Sequence, residues 1–447
     1  MKKIFLILGL IGQCALAQVP AIQFSPTLKT IDADALAPFS EGYAVVVKGA
    51  SHAMIDTKGS FFIPYNKYQF GGTFKEEYWS KGSLKKYRVG FNNGRCFVVN
   101  PKSGDIGMMD RTQKLLVPFQ HGAPYILDNY ILKMELQGGR KQHYLWDGTP
   151  LFVPQGQDSE AQQPKLPRGF SYQTADIESK RLWAFENYYT GRTMTYALTD
   201  YSGRFITEPI FEEINPFSEG LAVVMKRNEF KEEKWGVIDT NGKTVIDFIY
   251  SFPPSDFHDG LSIVTPNSYD LDLRYAFINR AGEVVLKIKN VEKGPEVGHR
   301  YYGWTNNLFF SDGRLLLRKP KYDPPHLLLY DKTGKSIDLE EVAKNEIKKW
   351  GLGNAFKQGY GVGTLNYQDG ILYYSIFSPI SLHDGCTGMI DILNGEFSLP
   401  PIYSSLRDFD PISGLTLAKA KTKGKEIEGY INTKGVFEIV KGVASKW

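Results

Sequence analysis

Short apolar runs recur along the chain and end in polar turns. Tyr43–Val47 reads YAVVV, Arg95–Val99 RCFVV, Leu221–Met225 LAVVM, Leu261–Val264 LSIV, Arg314–Leu317 RLLL and Ile371–Ser375 ILYYS. They are too short for ordinary helices, rich in β-branched and aromatic residues, and bounded by glycine, which predicts strands. One stretch has a different period. In IDLEEVAKNEIKKWG (337–351), Leu339, Val342, Ala343, Ile347 and Trp350 fall near one face of a helix. Asp338 and Glu341 make a capping-box-like pair at its start, and Gly351 suits the position past its end. A helix is expected near 338–350, packed on the strands around it or docking a partner.

Two turn markers punctuate the runs. The first is Asp/Asn-x-x-Gly, at Asp56–Gly59, Asp200–Gly203, Asp239–Gly242, Asn279–Gly282, Asp331–Gly334 and Asn432–Gly435, with looser copies at Asp110, Asp147 and Asp391. A leading Asp or Asn accepts a backbone N–H two residues on, and glycine in fourth place takes positive φ. The set suits a type I turn with a bulge between antiparallel strands. The second marker is Phe-x-x-Gly, at Phe39, Phe91, Phe217, Phe257 and Phe310, with Tyr367 as a variant. From the aromatic to the next Asp or Asn the offset stays between 17 and 24 residues. The connection from each turn to the next aromatic is less constant, so the hairpin is fixed and insertions collect in one class of loop.

FSEGLAVVMK…KWGVIDTNGKTVIDFIY (217–250) resembles the WG repeat, a bacterial Trp-Gly β-repeat family. Trp235-Gly236 is the literal pair; the same slot elsewhere reads HAMID, TYALTD, RYAFIN, TGMID and EGYIN. The resemblance is strongest over 195–285 and fainter over 38–70 and 385–440. It implies an extracytoplasmic or surface-associated protein and supplies no active residues to carry over. Gly236 is expected to allow a close backbone approach or bulge. Trp235 is expected to cover the neighbouring repeat, in preference to stacking on a sugar.

The expected fold class is all-β, a β-propeller-like array of about seven to nine small antiparallel sheets, with an open β-solenoid as the alternative. The strand around Tyr43–Lys48 is expected to complete the last sheet near 429–440. The division read from the sequence is an export signal at 1–17, an extension at 18–37, repeats at 38–154, a polar loop at 155–169, and repeats at 170–447 with a helical insertion at 336–356.

Composition fits a globular β protein: 42% apolar and 14% aromatic residues. MKKIFLILGLIGQCALAQ opens the chain with two lysines, a short apolar stretch and Ala15-Leu16-Ala17, the pattern of a cleavable signal with Gln18 as the mature start. Gln13 before Cys14 favours soluble export over a lipid anchor. The expected location is therefore exported: periplasmic, secreted or cell-surface. No apolar stretch is long enough for a membrane span. Loss of Lys2 and Lys3 leaves a charge near neutral, and no basic run points to nucleic acid. Cys96 and Cys386 remain, either paired or as separate thiols.

Candidate chemistry is sparse. No catalytic signature, metal-ligand spacing or cofactor motif occurs, so no catalytic residue, metal or cofactor is expected. Gly359, Gly361 and Gly363 read as a glycine-rich strand near a tight contact. Asp270 and Asp272 read as a solvated loop. Arg300, Tyr301, Tyr302 and Trp304 in HRYYGWTNNLFF are the candidate ligand-binding residues, against a satellite core under a long loop. The expected function is a noncatalytic binding or scaffolding module for a protein or glycan partner; the alternative is an extracytoplasmic propeller enzyme acting on glycans.

Overall fold

A computed structural model describes residues 21–70, 89–127, 131–136, 141–145, 147–151, 169–176, 179–186, 194–264, 273–289, 310–318, 327–353, 361–368, 370–377, 386–422 and 425–442. It also gives the strand backbone at 78–79 and 86–87 and the single positions 166 and 356. Residues 1–17, Asp270 and Asp272, Gly359 and nearly all of 155–169 lie outside the described residues.

The apolar runs are strands, and the fold is nearly all-β: seven antiparallel sheets of three or four strands, one of two and one of eight among the described residues. The segment around Trp235 shows the unit. Glu213–Ile214, Leu221–Arg227, Glu233–Asp239 and Thr244–Tyr250 pair in that order as one four-stranded sheet. The chain forms two compact units, one of residues 1–138, 144–150 and 339–447, the other of 139–143 and 151–338.

The continuous apolar character of each inner strand has a direct cause. Strand residues alternate between faces, and both faces here meet another sheet. Leu221, Val223 and Met225 pack with Trp235, Phe257, Val264, Ala276 and Ile278, towards the following repeat. Ala222 and Val224 pack with Trp183, Leu198 and Phe211, towards the preceding one. In the first unit, Ala44, Val46, Ala53 and Ile55 face Leu415, Leu417, Tyr430 and Ile439. Val45 and Met54 face Phe91, Cys96, Val98 and Met109.

The Asp/Asn-x-x-Gly marker has the expected hairpin role, and Phe-x-x-Gly, expected only to precede an apolar strand, proves to be a hairpin turn as well. Phe-x-x-Gly is a two-residue type I′ turn: φ is 54° at Glu41 and 86° at Gly42, and 52° at Glu219 and 76° at Gly220. Ser40 and Tyr43 exchange backbone hydrogen bonds of 2.8 and 3.2 Å across the turn. The aromatic before the turn is a core residue, with Phe39, Phe91, Phe257 and Phe310 all buried. At the other marker, Asp239 Oδ1 accepts the Asn241 N–H at 2.8 Å and the Lys243 N–H at 2.9 Å. The same pair of bonds recurs at Asp56, Asp200, Asn279, Asp331 and Asn432.

The expected helix is present at Leu339–Lys349. Leu339, Ala343 and Ile347 form its buried stripe, while Val342 and Trp350 stay partly exposed. It ends in a Schellman cap, with Leu352 N–H donating to Ile347 O at 3.1 Å, Gly351 N–H to Lys348 O at 2.9 Å, and φ of 78° at Gly351. Trp350 Nε1–H donates to Ser398 Oγ at 3.3 Å, which ties the helix to strand Ser398–Leu406 of its own unit.

Three expectations need correction or refinement. The strand that joins the C-terminal sheet is Gln23–Ile31, not Tyr43–Lys48. Gln23–Ile31 runs parallel to Val436–Lys441 at the edge of an eight-stranded sheet. Tyr43–Lys48 is held inside its own sheet, between Ala35–Leu36 and Ser51–Asp56, so neither of its edges is open. Of the glycine-rich stretch, 361–368 is a strand, but Gly361 faces open space and makes no tight contact. Cys96 is buried and Cys386 exposed, with no disulfide between them.

Trp235 is buried in the interface with the next repeat, as expected of a packing residue. Gly236 is the close approach: a Cβ there would stand 2.9 Å from Ile246 O and 3.0 Å from the Phe248 ring, where the register shifts. Gly236→Val is therefore expected to destabilise the protein by about 1–3 kcal/mol through overpacking, read as a lower midpoint in chemical denaturation. Gly361→Ser, at a strand position with open space around it and no positive φ, controls for loss of glycine alone and should cost less.

Candidate functional site

The repeat-marker residues serve the framework. Gly59, Gly203, Gly242, Gly282, Gly334 and Gly435 all adopt positive φ in their turns. A small residue three places before the turn Asp or Asn is the more general feature of the Trp-Gly slot, found in seven of the nine copies: Ala53, Gly107, Ala197, Gly236, Ala276, Gly388 and Gly429; Tyr144 and Leu328 hold the place before Asp147 and Asp331. Gly388 shows the reason, since a Cβ would lie 2.5 Å from the Tyr374 ring and 2.7 Å from Leu399 O.

A second function of the Phe-x-x-Gly marker was not anticipated from spacing. Its third residue is acidic in most copies, and that carboxylate reaches the next repeat. Glu41 Oε2 accepts the Gly94 N–H at 2.8 Å and Arg111 at 2.7 Å. Glu219 Oε2 accepts the Gly260 N–H at 3.0 Å and Arg280 at 3.0 Å. Asp259 Oδ2 accepts the Gly313 N–H at 2.6 Å, while Lys332 donates to Asp259 O at 2.7 Å. Each cation follows directly on a turn Asp or Asn, at Asp110, Asn279 and Asp331. In the first unit, Asp410 makes the same link from the last repeat to the first, accepting N–H groups of Glu41 at 2.6 Å and Gly42 at 2.9 Å. The sequence signal was the acid before most of the marker glycines, read together with the base that follows the turn residue at Asp110, Asn279 and Asp331.

The candidate ligand-binding residues Arg300, Tyr301, Tyr302 and Trp304 lie outside the described residues. A pocket of about 240 Å³ opens instead on the eight-stranded sheet, lined by Asn366, Gln368, Tyr373, Ser375, Thr387, Arg407 and Asp408 over a floor that includes Tyr374 and Leu406. Strands Gly361–Gln368, Ile371–Phe377 and Thr387–Asp391 supply most of the wall. The Tyr373 hydroxyl donates to Asp408 Oδ1. The Tyr374 hydroxyl donates to Leu399 O at 2.9 Å, and burial holds that phenol well above its ordinary pKa. Asn366 and Arg407 are exposed, Tyr373 and Asp408 half-buried. The guanidinium of Arg407 has no ion-pair partner among the described residues. The lining is thus a mixture of carboxamides, hydroxyls, one carboxylate, one guanidinium and a phenol ring. Nothing in the sequence marks it, because its residues come from four strands. Among the described residues no group of three or more His, Cys, Asp or Glu is placed to hold a metal ion. No helix there is long and apolar enough to cross a membrane.

A half-buried acid lies between repeats of the second unit. Burial raises the Asp256 carboxyl above its usual value, against the lowering effect of the Asn215 amide, 3.0 Å from Oδ1, and of His258. The folded state therefore keeps this proton when the unfolded chain has lost it. As pH rises from the unfolded carboxylate value through the raised folded one, Asp256 removes stability. Asp256→Asn keeps an acceptor for Asn215 and cannot ionise. It should raise the thermal midpoint at pH 7 and change it little at pH 4. The Glu219–Arg280 pair gives a separate expectation. A double-mutant cycle with Glu219→Gln and Arg280→Gln should show coupling of about 0.2–1 kcal/mol, shrinking in high salt, as both side chains are solvent-accessible.

The description "WG containing repeat" matches the chain over residues 198–230 and 235–267. No curated protein matches it. Similar solved structures include a puromycin-hydrolyzing peptidase of Mycobacterium tuberculosis, 12% identical over 92% of this chain and 60% of that one, with a TM-score of 0.27. A prolyl endopeptidase is 12% identical over 75% of this chain and 51% of that one, at 0.29. The β-propeller domain of the Trilobed protease from Pyrococcus furiosus is 10% identical over 76% of this chain and 91% of that one, at 0.23. The chain thus spans 60% and 51% of the two peptidases, and all three superpose too loosely to bear on activity. The two matched stretches enclose the sheet of Trp235 and the turns at Asp200 and Asp239; over those repeats the chain is similar to the WG containing repeat.

Proposed function

We propose that the chain is an exported, noncatalytic repeat protein that binds a protein or glycan partner. The observation that carries this reading is the pocket of Tyr373, Arg407 and Asp408, an open site of mixed donors and acceptors on a rigid sheet. Small binding sites combine an aromatic or apolar surface with a few converging polar groups. Glu41, Glu219 and Asp259 of the repeat markers are engaged between repeats, whereas the polar side chains of the pocket line an open surface. The export signal read at 1–17 places such a site where surface polymers and envelope proteins are available. Its lining contains one carboxylate, Asp408, whereas hydrolysis of a glycoside ordinarily uses a pair.

The mature chain from Gln18, immobilised and exposed to envelope extract and to a glycan array, should retain a defined ligand. Tyr373→Phe with Asp408→Asn, which keeps the ring packed on the core, should weaken its retention with an unfolding midpoint close to that of the unaltered chain. Saturable hydrolysis of any sugar, abolished by Asp408→Asn, would establish the glycan-enzyme reading in its place.

A further inference from the structure

We propose that the pocket on the eight-stranded sheet recognises an acidic saccharide, with the sugar carboxylate on Arg407 and the ring hydroxyls on Asn366, Gln368 and Asp408. This deepens the binding function proposed above and rests on it. The size of the pocket sets the first constraint. At about 240 Å³ it is smaller than the roughly 300–1,000 Å³ of sites for drug-sized ligands. It takes one ring or one chain end.

The chemistry of the lining sets the second. Two carboxamides each offer both donors and an acceptor, and the Ser375, Thr387 and Tyr373 hydroxyls can do either. Such a set matches a ring bearing adjacent hydroxyls, each of which also donates and accepts. Asp408 is an acceptor only, and the Tyr373 hydroxyl fixes its position. Tyr373 adds an aromatic ring beside these polar groups, the combination that meets the apolar and the hydroxyl-bearing parts of a sugar at once.

The charge selects among sugars. Arg407 stands at the pocket with no ion-pair partner among the described residues, while the Asp408 beside it is held by Tyr373. A guanidinium presents parallel donors that fit a carboxylate. An extended acidic peptide would satisfy Arg407, but it carries no ring of hydroxyls for the two carboxamides and Asp408.

The test is calorimetric titration of the mature chain with glucuronate, digalacturonate, glucose and tetraglutamate. The uronates should bind, and glucose should bind more weakly. Arg407→Gln should weaken uronate binding roughly tenfold or more, the worth of one charge-assisted hydrogen bond, and leave glucose unchanged. Tyr373→Phe, which frees Asp408, should weaken both sugars. Thermal midpoints equal to that of the unaltered chain confirm that each variant is folded. Equal binding of glucuronate and glucose overturns the proposal, as does displacement of glucuronate by tetraglutamate, or binding that Arg407→Gln leaves intact. If no sugar binds while the chain still captures a partner protein from envelope extract, the saccharide assignment fails and the binding function stands. If neither occurs, both fail.

Discussion

The sheets of Tyr43–Lys48 and Leu221–Arg227 are each covered on both faces by apolar side chains of neighbouring sheets, and that constraint governs what the repeats contain. A strand with one wet face alternates apolar and polar residues; Leu221–Met225 does not, because odd and even positions enter different interfaces. The same division assigns Val45 and Val46 of one strand to two cores. Trp235 and Phe257 fill the gap between successive sheets. The glycine three places before the turn residue, at Gly107, Gly236, Gly388 and Gly429, lets a third strand or an aromatic ring lie close against the second.

Packing alone leaves successive sheets free to slide, since apolar contact is not directional. The carboxylates of the type I′ turns provide direction. A residue such as Glu219 in left-handed conformation costs about 1–2 kcal/mol, and glycine would avoid that cost. A glycine could not accept the Gly260 N–H and the Arg280 guanidinium from the following repeat. The acid thus exchanges local ease for a bond that fixes one hairpin tip on the next. Asp410 extends this arrangement between the last and first repeats of one unit, beside the parallel pairing of Gln23–Ile31 with Val436–Lys441.

A framework fixed in this way can vary at positions that take part in neither the cores nor the clamps. Asn366, Gln368 and Arg407 are such positions, on or beside strands whose buried residues still follow the repeat, while Tyr373 packs against the core and turns its hydroxyl to Asp408. This separation explains how the repeat can persist while its ligand surface changes, and why repeat residues are poor guides to the ligand. Function in such a chain resides in a site carried by the fold rather than in the fold itself.

The sequence determined the local structure. It showed strands from short β-branched runs, turns from Asp/Asn-x-x-Gly and Phe-x-x-Gly, the helix from the spacing of Leu339, Ala343 and Ile347, and the packing role of Trp235. These were legible because each depends on residues within a few positions of one another. The tertiary structure decided which edge Gln23–Ile31 would take, because pairing depends on which strand edge is left open and not on composition. It also joined Glu41 to Arg111 across 70 positions and gathered the pocket from four strands. No local pattern records such meetings: the distance between two side chains is set by how whole sheets stack, and the residues that meet carry no common signature along the chain.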